Sequence, residues 1–146
     1  MIRSLVTLRI PMTVPRELLP NNVTSARTNN DRRRRFRRDI GLALKSQINK
    51  QRLTFNPPLF SGIVHCQLSF SWDKERTRGI TGRMMYRKTC DGDNLIAAWK
   101  GGFDSLQDVG LIADDKYLIH HPPVQDKDIW GDGFTIIDLW EETEDE

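Results

Sequence analysis

In the ten residues IVHCQLSFSW, Ile63 to Trp72, apolar and polar side chains alternate from Val64 onwards. Successive side chains of a β-strand point to opposite faces of the sheet, so a period of two residues is typical of a strand. This is the clearest strand signal in the chain, and the other elements are placed around it. The apolar positions are Val64, Cys66, Leu68, Phe70 and Trp72.

Two other segments carry apolar residues at helical spacing. The polar run Asn29-Asn30-Asp31 offers N-cap chemistry, and the pattern after it predicts a helix over about 31–50. A second helix is predicted to begin at Asp93 or Asn94 and to end at Gly110, a residue that suits a helix C-cap. The apolar stripes of the two helices are Phe36, Ile40, Ala43, Leu44 and Ile48, and Leu95, Trp99, Phe103, Leu106 and Val109.

Shorter alternating segments predict four more strands, at Leu5–Ile10, Arg83–Lys88, Tyr117–His120 and Phe134–Trp140. A loop marked by Pro122-Pro123 and by Gly131-Asp132-Gly133 is expected between the last two. The element order is then β-α-β-β-α-β-β. We therefore expect an α+β, two-layer fold in which two main helices pack against a mixed β-sheet.

Length and composition point to one soluble domain. A chain of 146 residues suits a single core, so we expect one domain over 1–146 with an acidic, frayed tail at about 141–146. No apolar run approaches 18 residues, and Arg9 and Pro11 interrupt the start too soon for a secretory signal. The two cysteines do not form a disulfide framework. A cytoplasmic location without membrane attachment is the expectation.

Charge is distributed unevenly along the chain. Residues 1–100 contain 20 Lys/Arg and 7 Asp/Glu, whereas residues 101–146 contain 2 Lys/Arg and 13 Asp/Glu. This asymmetry indicates a protein with one face for a polyanion.

An acidic cluster, Asp91-Gly92-Asp93-Asn94, precedes the second helix, and a further pair, Asp114-Asp115, follows it. Gly92 frees the backbone to aim two carboxylates together. Lys100 is seven positions after Asp93, about two helical turns, so both project from nearly one face. Converging carboxylates beside a lysine suit a divalent metal and a phosphate. Two simpler interpretations stay open: Asp93 as a helix cap, and Lys100 as a partner of Asp104.

The stretch DGDNLIAAWKGGFDSLQDVGLIADDK, Asp91 to Lys116, resembles the RusA-type Holliday-junction resolvases of bacteria and their phages. The family pattern is D-x-D-N, a helix with a lysine and an F-D-x-L turn, and then G-x-x-x-D-D. The opening strand, the proline-containing loop and the basic helix also resemble the front half of these enzymes. By this resemblance Asp91, Asp93, Lys100 and Asp115 match the catalytic set.

The resemblance implies a crossover junction endodeoxyribonuclease of DNA recombination and repair, acting as a homodimer in a bacterial host and phage or prophage encoded. Mg²⁺, or alternatively Mn²⁺, would be held by Asp91, Asp93 and Asp115, and Lys100 would stabilise charge on the phosphate.

A run of arginines at the start of the first helix predicts contacts with DNA phosphates. A solvated basic face is the alternative. At the level of function, a nuclease for other branched DNA and a non-catalytic nucleic-acid-binding protein of the same fold also remain open. The residues expected to contact DNA are Arg33, Arg34, Arg37, Arg38, Arg83 and Arg87.

The pair His120-His121 looks like a metal site but is not expected to be one. Adjacent residues on a strand point to opposite faces of the sheet, so the two imidazoles should not share an ion.

Overall fold

The computed structural model describes residues 2–13, 26–73, 92–131 and 133–142. Within these ranges three α-helices and a mixed five-stranded sheet form an α+β fold, which confirms the predicted class. In chain order the elements are β1 (Ile2–Ile10), α1 (Ala26–Lys50), β2 (Val64–Asp73), α2 (Gly92–Ala98), α3 (Lys100–Asp108), a 3₁₀ helix (Asp115–Tyr117), β3 (Leu118–His120), β4 (Val124–Gly131) and β5 (Phe134–Glu142).

The sheet is organised around β2. Strand β5 pairs with it antiparallel along one edge, and β1 pairs antiparallel with the far side of β5. The other edge of β2 pairs parallel with β3 at its start and with β4 at its end. The alternation predicted for β2 is observed, since Val64, Cys66, Leu68 and Phe70 are all buried.

The helices cover the face of the sheet to which these side chains point. Phe36, Ile40 and Leu44 of α1 are buried, and so are Phe103 and Leu106 of α3, as the helical spacing predicts. They share one apolar core with β1, β2 and β5. The two-layer arrangement follows, because each amphipathic element buries its apolar side against the others.

Strand β4 is the main difference from the sequence prediction, which placed a loop there. Residues Val124–Gly131 form a strand because β2 offers a free edge, with Ser69 opposite Val124 and Ser71 opposite Asp126. The break that Pro122-Pro123 predicts is present, since it separates β3 from β4 on that same edge. The predicted strand at Arg83–Lys88 lies outside the described residues.

The helices also differ from the prediction in detail. Helix α1 begins at Ala26 rather than at Asp31, so the polar residues expected to cap it lie inside its first turns. The second predicted helix is divided into α2 and α3 at Trp99. None of the helices within the described ranges is long and apolar enough to cross a membrane.

Candidate functional site

A break in the helical path positions Lys100. Trp99 has φ −89° and ψ 8°, and its fully buried ring packs edge-on against Phe36 and Phe103. Gly102 permits this packing, because a Cβ atom there would lie 2.5 Å from the indole. The prediction that Asp93 and Lys100 project from nearly one helix face assumed a continuous helix. The break at Trp99 interrupts that helix. Lys100 is exposed as the first residue of α3.

The end of α3 directs the chain towards the Asp114-Asp115 pair. Gly110 adopts φ +81°, and the N–H groups of Gly110 and Leu111 donate to the carbonyls of Gln107 and Leu106. This is a Schellman C-cap, as the sequence predicts for Gly110. Leu111 and Ile112 are then buried, with Ile112 bridged to Phe60, and the chain enters the 3₁₀ helix beside α3.

Two adjacent carboxylates begin that 3₁₀ helix. Asp114 is its N-cap, because its Oδ1 accepts a 3.0 Å hydrogen bond from the backbone N–H of Lys116. This bond is the main reason that the pKa of Asp114 lies below its ordinary value. Hydrogen bonding with Asp114 raises the pKa of the Asp115 carboxyl, as do burial and the charges of Asp104 and Asp114. Asp115 therefore lies among like charges, and a bound cation would offset them.

Lys100 lies within electrostatic range of Asp115. Its ammonium lowers the pKa of the Asp115 carboxyl, an effect smaller than the influences that raise that pKa. Among the described residues the two side chains form no ion pair within 4 Å. Asp104 approaches Arg37 at 3.9 Å instead of pairing with Lys100. Asp93 is the second residue of α2, but its side chain is not among those described, and Asp91 lies outside the described residues altogether.

The donor chemistry of the described acidic pair fits a hard divalent cation, since carboxylate oxygens are the ligands that Mg²⁺ prefers. Asp115 and Asp114 supply such oxygens beside a lysine. In the part of the chain that the structure describes, no three His, Cys, Asp or Glu side chains come together as a metal site. The other two predicted ligands, Asp91 and Asp93, are the ones whose side chains are not described.

The four described arginines of the predicted DNA contact differ in their surroundings. Arg33 and Arg34 line a cleft between α1 and α3 together with Lys100, Gly101 and Asp104. Asn30 and Arg37 complete the lining.

Arg37 is already engaged by acidic side chains. Its Nε and one terminal nitrogen each donate a 2.6 Å hydrogen bond to the Asp108 carboxylate. Arg38 lies 3.8 Å from Asp39. The predicted contacts Arg83 and Arg87 fall outside the described residues.

Asp104 is a part of this site that sequence reasoning used only as a possible partner of Lys100. It lines the cleft, and its charge helps to raise the pKa of Asp115. Its place in the F-D-x-L turn, four residues after Lys100, is the signal that could have identified it.

The prediction that His120 and His121 point to opposite faces is confirmed. The His120 ring lies 4.5 Å from Phe103 on the helix side, whereas His121 Nε2 lies 2.9 Å from His65 Nδ1. Partial burial lowers the pKa of His120, and the nearby Asp115 charge partly offsets this effect. The His65–His121 contact joins β2 to the end of β3, and nothing in the sequence pattern predicts it.

Comparison with known proteins assigns no family to this chain. No family model matches it, and no curated protein is significantly similar to it.

Proposed function

We propose that this chain is a Mg²⁺-dependent, structure-selective DNA endonuclease that resolves Holliday junctions by paired, symmetric nicks. The supporting observation is a cleft lined by Arg33, Arg34 and Lys100, with Asp115 within electrostatic range of Lys100. Carboxylates repel DNA phosphates unless a cation lies between them, so acidic residues next to a basic cleft favour metal-assisted phosphodiester hydrolysis over simple binding.

The residues of the proposed site divide into three groups with different roles. Asp91, Asp93 and Asp115 would hold the metal ion, which supplies, when bound, an acidic water and a counter-charge for phosphate oxygens. Lys100 would stabilise the charge that develops on the phosphate. Arg33 and Arg34 of α1 would hold the DNA backbone, which gives position rather than sequence preference and so suits recognition of junction shape.

The first test is cleavage of a synthetic four-way junction compared with a linear duplex of equal length, in Mg²⁺, in Mn²⁺ and in EDTA. We expect paired nicks in the junction only, lost in EDTA. Cutting of flaps or forks as fast as junctions would indicate a nuclease for other branched DNA. Tight junction binding without cutting in either metal would support the non-catalytic alternative.

The second test replaces one carboxylate of the site. Asp115→Asn removes a proposed metal-binding charge, and we expect the cleavage rate to fall at least ~100-fold while junction binding in EDTA is kept. Asp138→Asn is the matched control, because it makes the same charge change on the sheet, where the side chain accepts a hydrogen bond from Thr7. Equal rates for the two variants would remove Asp115 from the active site.

A further inference from the structure

A cleft of about 350 Å³ between α1 and α3 contains more positive charge than the described side chains around it neutralise. Its charged lining consists of Arg33, Arg34, Arg37, Lys100 and Asp104, four cations and one carboxylate. The volume is within the ~300–1,000 Å³ typical of ligand sites.

The close crossing of the two helices creates this cleft. A Cβ atom at Gly101 would lie 3.2 Å from the carbonyl oxygen of Arg33 and 3.4 Å from the backbone nitrogen of Arg37. The buried Ser105 hydroxyl lies within hydrogen-bonding distance of the carbonyl oxygen of Arg37, which joins the helices one turn further along. Backbone contact at Gly101 therefore keeps Arg33 of α1 next to Lys100 of α3.

The cations of the cleft are not equivalent. Arg37 makes the two 2.6 Å hydrogen bonds to Asp108 and also approaches Asp104, so these carboxylates largely neutralise its charge. Among the described residues, no carboxylate lies within 4 Å of Arg33, Arg34 or Lys100, and all three are exposed. The described side chains therefore leave these three cations accessible to an external anion.

We propose that Arg33, Arg34 and Lys100 form a binding site for a backbone phosphodiester of DNA, and that Arg37 positions α1 instead of contacting DNA. The assignment rests on the proposed function, in which the same Lys100 stabilises the charge that develops on the phosphate. A guanidinium donates two parallel hydrogen bonds to phosphate oxygens, and two adjacent arginines with an ammonium opposite can enclose one phosphate group. Because the three cations lie at the protein surface, a continuous nucleic-acid strand can reach them.

The chain offers a matched pair of variants for the test. Arg33→Ala/Arg34→Ala removes two arginines that line the cleft, whereas Arg32→Ala/Arg35→Ala removes two arginines of the same helix that do not line it. The net charge change is the same. Junction binding is measured by fluorescence anisotropy in EDTA over a range of salt concentrations, after thermal unfolding has shown that both variants are folded.

We expect the cleft variant to bind at least ~10-fold more weakly and the salt slope to decrease by about one, because the one phosphodiester that the cleft holds is no longer neutralised. The matched control should lose less than ~3-fold. Arg37→Ala should resemble this control in binding while it lowers the unfolding midpoint. Equal losses of affinity from the two double variants would show a diffuse electrostatic attraction and would overturn the inference.

Two further arms separate the possible outcomes. Because binding is measured without metal, a wild-type protein that never cuts would refute the nuclease proposal while the comparison of variants still tests the cleft. Conversely, a protein that cuts junctions and whose two double variants bind equally would refute the cleft alone.

Inorganic phosphate and deoxyadenosine monophosphate serve as competitors at millimolar concentrations. Displacement of DNA by either at micromolar concentration would instead indicate a small phosphate ligand.

Discussion

At the scale of single residues, the fold changes the reactivity of the Cys66 thiol. Cys66 lies in the middle of the chain's clearest strand, is 1% exposed, and has Asp138 nearby on β5. Burial, and to a lesser degree the charge of Asp138, raises the pKa of this thiol to about 12. Because the thiolate is the reactive form of cysteine, the same residue that would react freely in an unfolded chain is protected in the sheet.

We therefore predict that Cys66 does not react with a thiol reagent in the native protein at pH 8. A pKa of about 12 in place of the ordinary 9.0 lowers the thiolate fraction at pH 8 by about 10³-fold. The Cys90→Ser variant leaves Cys66 as the only thiol, and its titration with a disulfide reagent in native buffer and in denaturant provides the comparison. Reaction of the native protein at the rate of the denatured one would contradict the prediction.

The same shift sets a pH dependence of stability. The folded pKa is raised above the unfolded one, so the contribution of Cys66 to stability is fully present below about pH 9 and is lost as the pH rises towards 12. Cys66→Ala should remove this dependence from the free energy of unfolding.

At the level of elements, the contact between α1 and α3 determines the geometry of the site. Gly101 allows the backbones to touch, Ser105 bonds to the carbonyl oxygen of Arg37, and Arg37 reaches Asp108 in the last turn of α3. The ion pair is about half exposed, since the side-chain exposures are 47% for Arg37 and 45% for Asp108, so solvent screens it. Its two-point geometry nevertheless fixes the direction of one helix relative to the other.

We predict a coupling free energy of about 0.5–1 kcal/mol between Arg37 and Asp108 at neutral pH, from a double-mutant cycle with alanine followed by urea unfolding. Arg37 holds the pKa of Asp108 below its ordinary value. The coupling is therefore present above the ordinary carboxyl range and is lost as the pH falls through the lower, folded pKa.

The pair Arg38–Asp39 is the control for that cycle. Its atoms lie 3.8 Å apart, and Arg38 is 71% exposed, so we expect a coupling near zero. Equal coupling energies for the two pairs would mean that the two-point geometry of Arg37–Asp108 adds nothing to the stability of the fold.

At the scale of the whole molecule, the basic and acidic parts of the chain do not form separate structural units. Strand β5, from the acidic end of the chain, lies between β1 and β2 from the basic part. Positive charge is concentrated at the cleft between α1 and α3, which Arg33 and Arg34 of α1 line together with Lys100 of α3. The positively charged cleft therefore depends on the packing of α1 against α3 as well as on the run of arginines in α1.

We predict that the protein is a homodimer when it acts on a junction. The proposed function requires cuts in two symmetric strands, and one chain offers one Asp115 site, so two copies related by a twofold axis are needed. Sedimentation of the free protein at micromolar concentration should give about twice the chain mass of 16.9 kDa. A monomer that stays a monomer on the junction would contradict paired nicking by a dimer.

The sequence by itself determined the elements that local periodicity encodes. The core stripes of α1 and of the segment after Asp93, the alternation of β2 and the C-cap at Gly110 all appear as predicted. These features depend on spacings of two to four residues and on the conformational freedom of one glycine, which are visible without knowing the fold. The α+β class follows from them.

Tertiary structure alone decided the rest. Strand β4 exists because β2 has a free edge, and α3 starts anew at Lys100 because Trp99 is buried between Phe36 and Phe103. In sequence the arginines of α1 look alike, yet only packing against α3 places Asp108 on Arg37 and leaves Arg33 facing Lys100. Such choices depend on contacts between residues far apart in the chain, and local pattern contains no information about which distant surface a side chain will meet.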